Sequence, residues 1–210
     1  MSQDSGNTKV YITEKGQICF DRILEKDLYT AQKPTRKWGK KQKGGAPSRA
    51  AAVTNKIWPK NTLRVYFLEN NRLESQIMDW ASMWSQHGDI KFEKASSIFR
   101  SDIRVGFDSN DGAWSYMGTD STRKYKTMNL GFIDQGTVLH EFGHALGFIH
   151  EHQSPASGGF EWNEEEVIKS LSGPPNYWDE ETIQHNMFDT YDEDQLTMTE
   201  YDSTSIMHYR

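Results

Sequence analysis

The chain predicts an α+β domain, a twisted sheet carrying two major helices. Three observations point there. TLRVYFL (62–68) alternates apolar and polar residues as a half-buried strand does. RLESQIMDWASMWSQHG (72–88) then switches to helical spacing, with Leu73, Ile77, Trp80 and Trp84 on one face. A series of short strand-like runs follows, and after it a second helical stretch at 137–147.

Taken in order, the chain begins with a segment from Lys9 to Leu28 in which VYITEKGQICFDRIL alternates around a glycine and reads as a small hairpin. Residues 28–68 hold ten Lys and Arg and no acid, and they include KGGAPSRAAA, which has the composition of a flexible linker. The chain as a whole carries −6, so this stretch leaves fourteen basic against thirty acidic groups elsewhere. A basic run of this kind suits a solvated linker, docking on the acidic remainder, or nucleic acid, in falling order. Residues 1–55 are therefore set apart as an N-terminal extension or propeptide-like segment, and 56–210 as the folded domain.

Within that domain, Gly88 is placed to end the first helix. IKFEKA (90–95), SDIRVGFD (101–108), AWSYMGT (113–119) and TMNLGFI (127–133) read as strands bounded by Gly and Asp turn signals. Beyond Pro155, residues 161–202 hold thirteen acids and one Lys. WNEEEVIKSL (162–171) and DEETIQHNMF (179–188) read there as acid-capped helices. A single Cys19 excludes an internal disulfide. No apolar run approaches the roughly 20 residues that span a bilayer, and MSQDSGNTKV lacks a basic-then-apolar leader pattern.

Four of the seven histidines crowd into HEFGHALGFIHEH (140–152). His140 and His144 are one helical turn apart, on one face, roughly 6 Å along the axis, so both can bind one ion. Glu141 rotates off that face and can reach a water at the metal without ligating it. A continuous helix would carry His150 about 15 Å beyond His140, out of reach. Gly147 stands where a left-handed residue would break the helix and bring His150 back as third ligand. Three histidine nitrogens leave an open position, the mark of a catalytic zinc site, with one Zn2+ per chain. A chance H-E-x-x-H is the competing reading of the first five residues, and the eleven-residue pattern makes it improbable.

The full H-E-x-x-H-x-x-G-x-x-H motif resembles that of the metzincin zinc endopeptidases. Glu151 after the third histidine, and the terminal string STSIMHYR (203–210), resemble the astacin-like metalloproteases in particular. The resemblance runs over about 57–210. It implies a mostly parallel twisted sheet with an antiparallel edge strand and a Met-turn. It implies His140, His144 and His150 as zinc ligands and Glu141 as general base. Met207 would pack beneath the metal, and Tyr209 would be a mobile fifth ligand and oxyanion donor. Glu151, with Gly147, would be a structural residue supporting the site, one that in the family commonly meets the mature N-terminus. Trp114, Ser115, Tyr116 and Gly118 would belong to the edge strand that pairs with a peptide or protein substrate. It further implies secretion and gives no reason to expect an oligomer or a nucleic-acid partner. The chain departs from the pattern at His152-Gln153-Ser154-Pro155, which puts the anchoring beyond the third histidine in question. Its end, one residue past Tyr209, suggests a truncated C-terminus. A catalytically silent, zinc-stabilised binding domain is the alternative. His152 reads as exposed or supporting rather than as a fourth ligand. His87, His185 and His208 read as surface or packing residues, and Cys19 as a small apolar residue or a thiolate switch.

Overall fold

The structure is a computed structural model that describes residues 20–22, 50–174 and 176–209, without side chains for 20–22 and 123. Eight strands and four α-helices follow in the order β1 (Phe20–Arg22), β2 (Ala51–Val53), β3 (Thr62–Phe67), α1 (Glu74–Ala81), β4 (Lys91–Lys94), β5 (Ile103–Gly106), β6 (Ala113–Tyr116), β7 (Met128–Leu130), α2 (Gln135–Leu146), α3 (Glu164–Ser172), α4 (Glu180–Ile183) and β8 (Leu196–Met198). The main sheet has the order β1-β6-β7-β5-β3-β4. β4, β3, β5 and β7 run parallel, and β6 is antiparallel to β7. The mixed α+β architecture expected from the sequence is the one found.

The alternation in β3 is realised as inward Leu63, Val65 and Phe67. They pack with Ile103 and Val105 of β5, Met128 and Leu130 of β7, Ile77 and Ala81 of α1, and Val138, Phe142, Ala145 and Leu146 of α2. Side chains as buried as Leu63, Val65 and Ile103 each contribute roughly 1.5–3 kcal/mol. Phe142 meets Phe92 edge-on with centroids 5.1 Å apart. Trp58 and Trp84 donate their indole N–H to the carbonyls of Ala145 and Leu139, fastening α2 from two sides.

Three sequence expectations are revised, and one lies mostly outside the described residues. α1 is α-helical only to Ala81, and its last turns, Ser82–Gln86, tighten into a 3-10 helix. His87 caps that 3-10 turn and Gly88 follows directly, without a positive φ. Residues 51–53, read as the end of a linker, form β2, which pairs antiparallel with β8 far along the chain. Alanine-rich sequence gives no strand signal; this strand exists because Ala51 and Val53 bury against Met117 and Ile149. Of the proposed hairpin, only Phe20–Arg22 lies within the described residues, and it forms β1, parallel to β6. The rest, with Cys19, lies outside them. Finally, β6 is the antiparallel strand but not the sheet's outermost one, because β1 takes that position.

Candidate metal centre and active site

α2 begins where the side chain of Asp134 accepts from Thr137 N–H at 2.9 Å, an N-cap. It ends at Gly147, with φ +104. There Gly147 N–H bonds the His144 carbonyl at 2.8 Å and Phe148 N–H bonds the Gly143 carbonyl at 3.1 Å, a Schellman arrangement. The chain then reverses. Its return limb is held by β2: Val53 N–H donates to the Gly147 carbonyl at 2.9 Å, and Ile149 N–H to the Ala51 carbonyl at 3.0 Å. His150 is delivered next to the helix it has just left.

The three histidines converge. Nε2 of His144 lies 3.1 Å from Nε2 of His140 and 3.1 Å from Nε2 of His150. Each Nδ1 faces an acceptor on its other side. His140 Nδ1 donates to the Ile206 carbonyl at 2.8 Å, His144 Nδ1 to the Phe148 carbonyl at 2.9 Å, and His150 Nδ1 to Gln153 Oε1 at 3.0 Å. Each ring proton is therefore on Nδ1, and three Nε2 lone pairs face one point. Nitrogens bound at 2.0–2.1 Å around a tetrahedral zinc lie roughly 3.4 Å apart, near the spacing here. All three rings are buried. Burial first, then the rings of His144, His140, His152 and His185, holds His150 well below the ordinary imidazole range. It is thus in the neutral form that a metal ligand needs. The donor set fits a zinc ion, and these three residues can hold it.

Around this point stand the other expected residues. Glu141 follows His140 on α2 and is fully buried. Tyr209 is buried with its ring centroid 4.3 Å from that of His150 and 5.8 Å from that of His140. Met207 is buried beneath α2. The turn that carries it is pinned at both ends of the site, through the Ile206 carbonyl on His140 and through Glu151 N–H on the Met207 carbonyl at 2.9 Å.

The sequence model of the peptidase family described as Astacin matches residues 50–210. The chain belongs to the astacin family. Zinc metalloproteinase nas-23 of Caenorhabditis elegans is 25% identical over 165 residues, 77% of this chain and 28% of that protein. Zinc metalloproteinase nas-36 of Brugia malayi is 31% identical over 137 residues, 64% of this chain and 21% of that protein. The chain thus spans about a quarter of the length of these curated relatives. Among solved structures, myroilysin matches with a TM-score of 0.69 at 35% identity, over 76% of this chain and 82% of that one. The chain carries a zinc metalloprotease domain of the astacin type. Among the described residues no helix is long and apolar enough to cross a membrane.

Around this astacin-family site several residues take one of the alternatives the sequence left open, and Gly118 departs from its expected place. His152 is buried, not exposed; its ring stacks 5.5 Å from His150 at 12°, and Nε2 donates to the Asn186 carbonyl at 3.0 Å. His208 is also buried, donates from Nδ1 to the Tyr209 carbonyl, and meets the Tyr201 hydroxyl with Nε2 at 2.7 Å. Phe160 and Trp162 pack edge-on against His152, closing an aromatic wall that no short motif announced. Glu151 is buried; its Oε1 accepts from Asp202 N–H at 3.1 Å, while its Oε2 has no hydrogen-bond partner among the described residues. Burial raises its pKa, against the opposing hydrogen bonds from Asp202 and Ser205. Trp114, Ser115 and Tyr116 do lie on β6, and all three are buried. Gly118 lies past the strand, at the start of a 3-10 turn with φ +48. A Cβ there would sit 2.0 Å from the Lys56 carbonyl oxygen, so close approach of two backbones, not strand pairing, requires the glycine.

Proposed function

We propose that this chain is an endopeptidase that cleaves an extended peptide or protein substrate with zinc held by His140, His144 and His150. The observation that carries the reading is the convergence of the three Nε2 atoms of His140, His144 and His150 beside a fully buried carboxylate, Glu141, on the helix that carries the first two. A zinc ion there would polarise the scissile carbonyl and make a water acidic near neutral pH. Glu141 takes the proton from that water as it attacks the carbonyl carbon. It then passes the proton to the leaving amine nitrogen as the C–N bond breaks. Tyr209, packed against His150 and His140, directs its hydroxyl to the oxygen that gains charge during attack. One such donor lowers a barrier by roughly 2.7–4 kcal/mol.

The substrate backbone pairs along β6, whose far edge is engaged by β1 in a parallel sense. The propeptide-like segment expected at 1–55 is shortened to 1–49, because β2 at Ala51–Val53 belongs to the folded domain, and its strand β1 must leave before a substrate strand can add. The acting compartment is extracellular, in keeping with the family. A silent binding domain is the poorer reading, because a structural zinc site gains nothing from a carboxylate buried at the position of Glu141.

The test pairs metal content with cleavage of a quenched-fluorescence peptide library, before and after removal of residues 1–49. Glu141→Ala should keep one zinc per chain and lose about 10²–10⁴-fold in rate. A parent chain that holds zinc yet cuts nothing in either form would overturn the enzymatic reading.

A further inference from the structure

The two helical ligands are oriented by backbone. The Ile206 and Phe148 carbonyls accept from His140 and His144, and no substitution removes either acceptor. The third ligand lies past the helix break and has no such support. Its Nδ1 partner is a side chain, the Oε1 of Gln153 at 3.0 Å.

Gln153 is fully buried and sits three residues after His150, in the 3-10 turn Glu151–Gln153 that Gln153 N–H closes on the His150 carbonyl at 3.0 Å. The other end of its amide faces two acceptors. Nε2 donates to the His185 carbonyl at 2.5 Å and, more weakly, to the Asp189 carbonyl at 3.3 Å. Carbonyls only accept, so the NH2 group must point at them and Oε1 must point at His150. An amide oxygen cannot donate, so His150 carries its proton on Nδ1. Its Nε2 lone pair is then free and aimed at the point shared with His140 and His144. The two carbonyls come from opposite ends of one π-helical turn, Gln184–Phe188 with Asp189 after it, directly following α4. Gln153 also has its own carbonyl engaged, by Tyr191 N–H at 3.1 Å.

We propose that Gln153 is a positioning residue for the metal centre, which fixes the tautomer and ring orientation of His150 and ties the third zinc ligand to the 184–189 turn. The acceptor half of the amide sets the ligand, and the donor half anchors it to the C-terminal part of the domain. The proposal rests on the reading that His140, His144 and His150 bind zinc. Partners of this kind, one bond removed from the metal, change affinity by about 10–100-fold when deleted.

Two substitutions separate the halves of the amide. Gln153→Met keeps the length and an unbranched shape but has neither donor nor acceptor. Gln153→Glu keeps an acceptor for His150 and loses the donors to His185 and Asp189. On the full chain, zinc affinity is measured by chelator competition and thermal stability by circular dichroism. The zinc-loaded protein with 15N-labelled histidine then shows which ring N–H protons resist exchange. The parent should show three protected ligand ring protons. Gln153→Met should lose protection at one of them and bind zinc about 10–100-fold more weakly. Gln153→Glu should keep all three protons and an affinity close to the parent's, while melting at a lower temperature. If Met and Glu weaken zinc equally, or if Met leaves affinity and protection unchanged, the proposal is wrong and the zinc site stands. If the parent itself binds no zinc, both the proposal and the reading under it fall. The fold of Gln153→Glu provides the decisive comparison even where Gln153→Met proves unstable.

Discussion

Gly143 lies directly over Met207. A Cβ on Gly143 would come within 2.3 Å of Met207 Sδ and 3.0 Å of the Trp84 ring. The fourth position of H-E-x-x-H is thus small in this chain because the thioether of the Met-turn fills the space beneath the helix. Gly143→Ala should cost about 1–3 kcal/mol by overpacking. Combined with Met207→Ala, part of that cost should be recovered, because the two side chains compete for one volume. Denaturant unfolding of the two single variants and the double variant measures the coupling. A strictly additive pair would mean that Met207 moves aside freely.

Tyr209→Phe keeps the ring that packs on His150 and removes only the hydroxyl. The expected outcome is a kcat about 10²–10³-fold lower, with unchanged metal content and little change in KM. Steady-state kinetics alongside zinc quantification would show it. An equal loss of zinc would instead place Tyr209 among the residues that hold the metal in the resting protein.

Chelation should lower the melting temperature, and stoichiometric zinc should restore it. Three imidazoles brought together from α2 and the return limb converge in the folded chain alone, so binding stabilises by RT ln(1 + [L]/Kd), about 4 kcal/mol at a thousandfold excess over Kd. Calorimetry with and without zinc tests this; identical melting curves would argue against a bound metal at this site.

Val53 has φ −69, which suits proline. Val53→Pro therefore removes the N–H that holds the Gly147 carbonyl while leaving the local backbone conformation accessible. The orphaned carbonyl should cost about 1–3 kcal/mol. Zinc retention should fall with it, because the limb that delivers His150 loses one of its two bonds to β2. Chelator competition on Val53→Pro measures the second effect.

Asp179 caps α4 by accepting from Thr182 N–H at 2.8 Å, and the Thr182 hydrogen bonds lower its pKa from the usual carboxylate value. A carboxylate lowered in the folded state stabilises above its unfolded pKa, and that contribution disappears as pH falls through the folded value. Asp179→Ala should thus cost about 0.5–1 kcal/mol at neutral pH, and the gap between variant and parent should narrow below about pH 4. Melting curves across that range check the sign. A gap that widened on acidification would contradict the capping role.

The catalytic helix was legible because its chemistry is local. His140, Glu141 and His144 fall on defined faces of any α-helix, and Gly147 marks its end, so a dozen residues specify two candidate ligands, an adjacent carboxylate and the break. The parallel core strands were legible for the same kind of reason, since alternation in β3 reports burial directly. Residues 51–53 were not: their small side chains carry no period, and they become a strand only because β8, far later in the chain, and the limb after α2 supply partners on both sides. Gln153 is a similar case. Nothing in its neighbours distinguishes it from a surface glutamine until the turn at 184–189 presents two carbonyls to its amide. The sequence by itself determined which residues can bind a metal and where the helix must stop. Only the tertiary structure decided how the third histidine is held, because its hydrogen-bond partners come from segments whose distance along the chain no local pattern encodes.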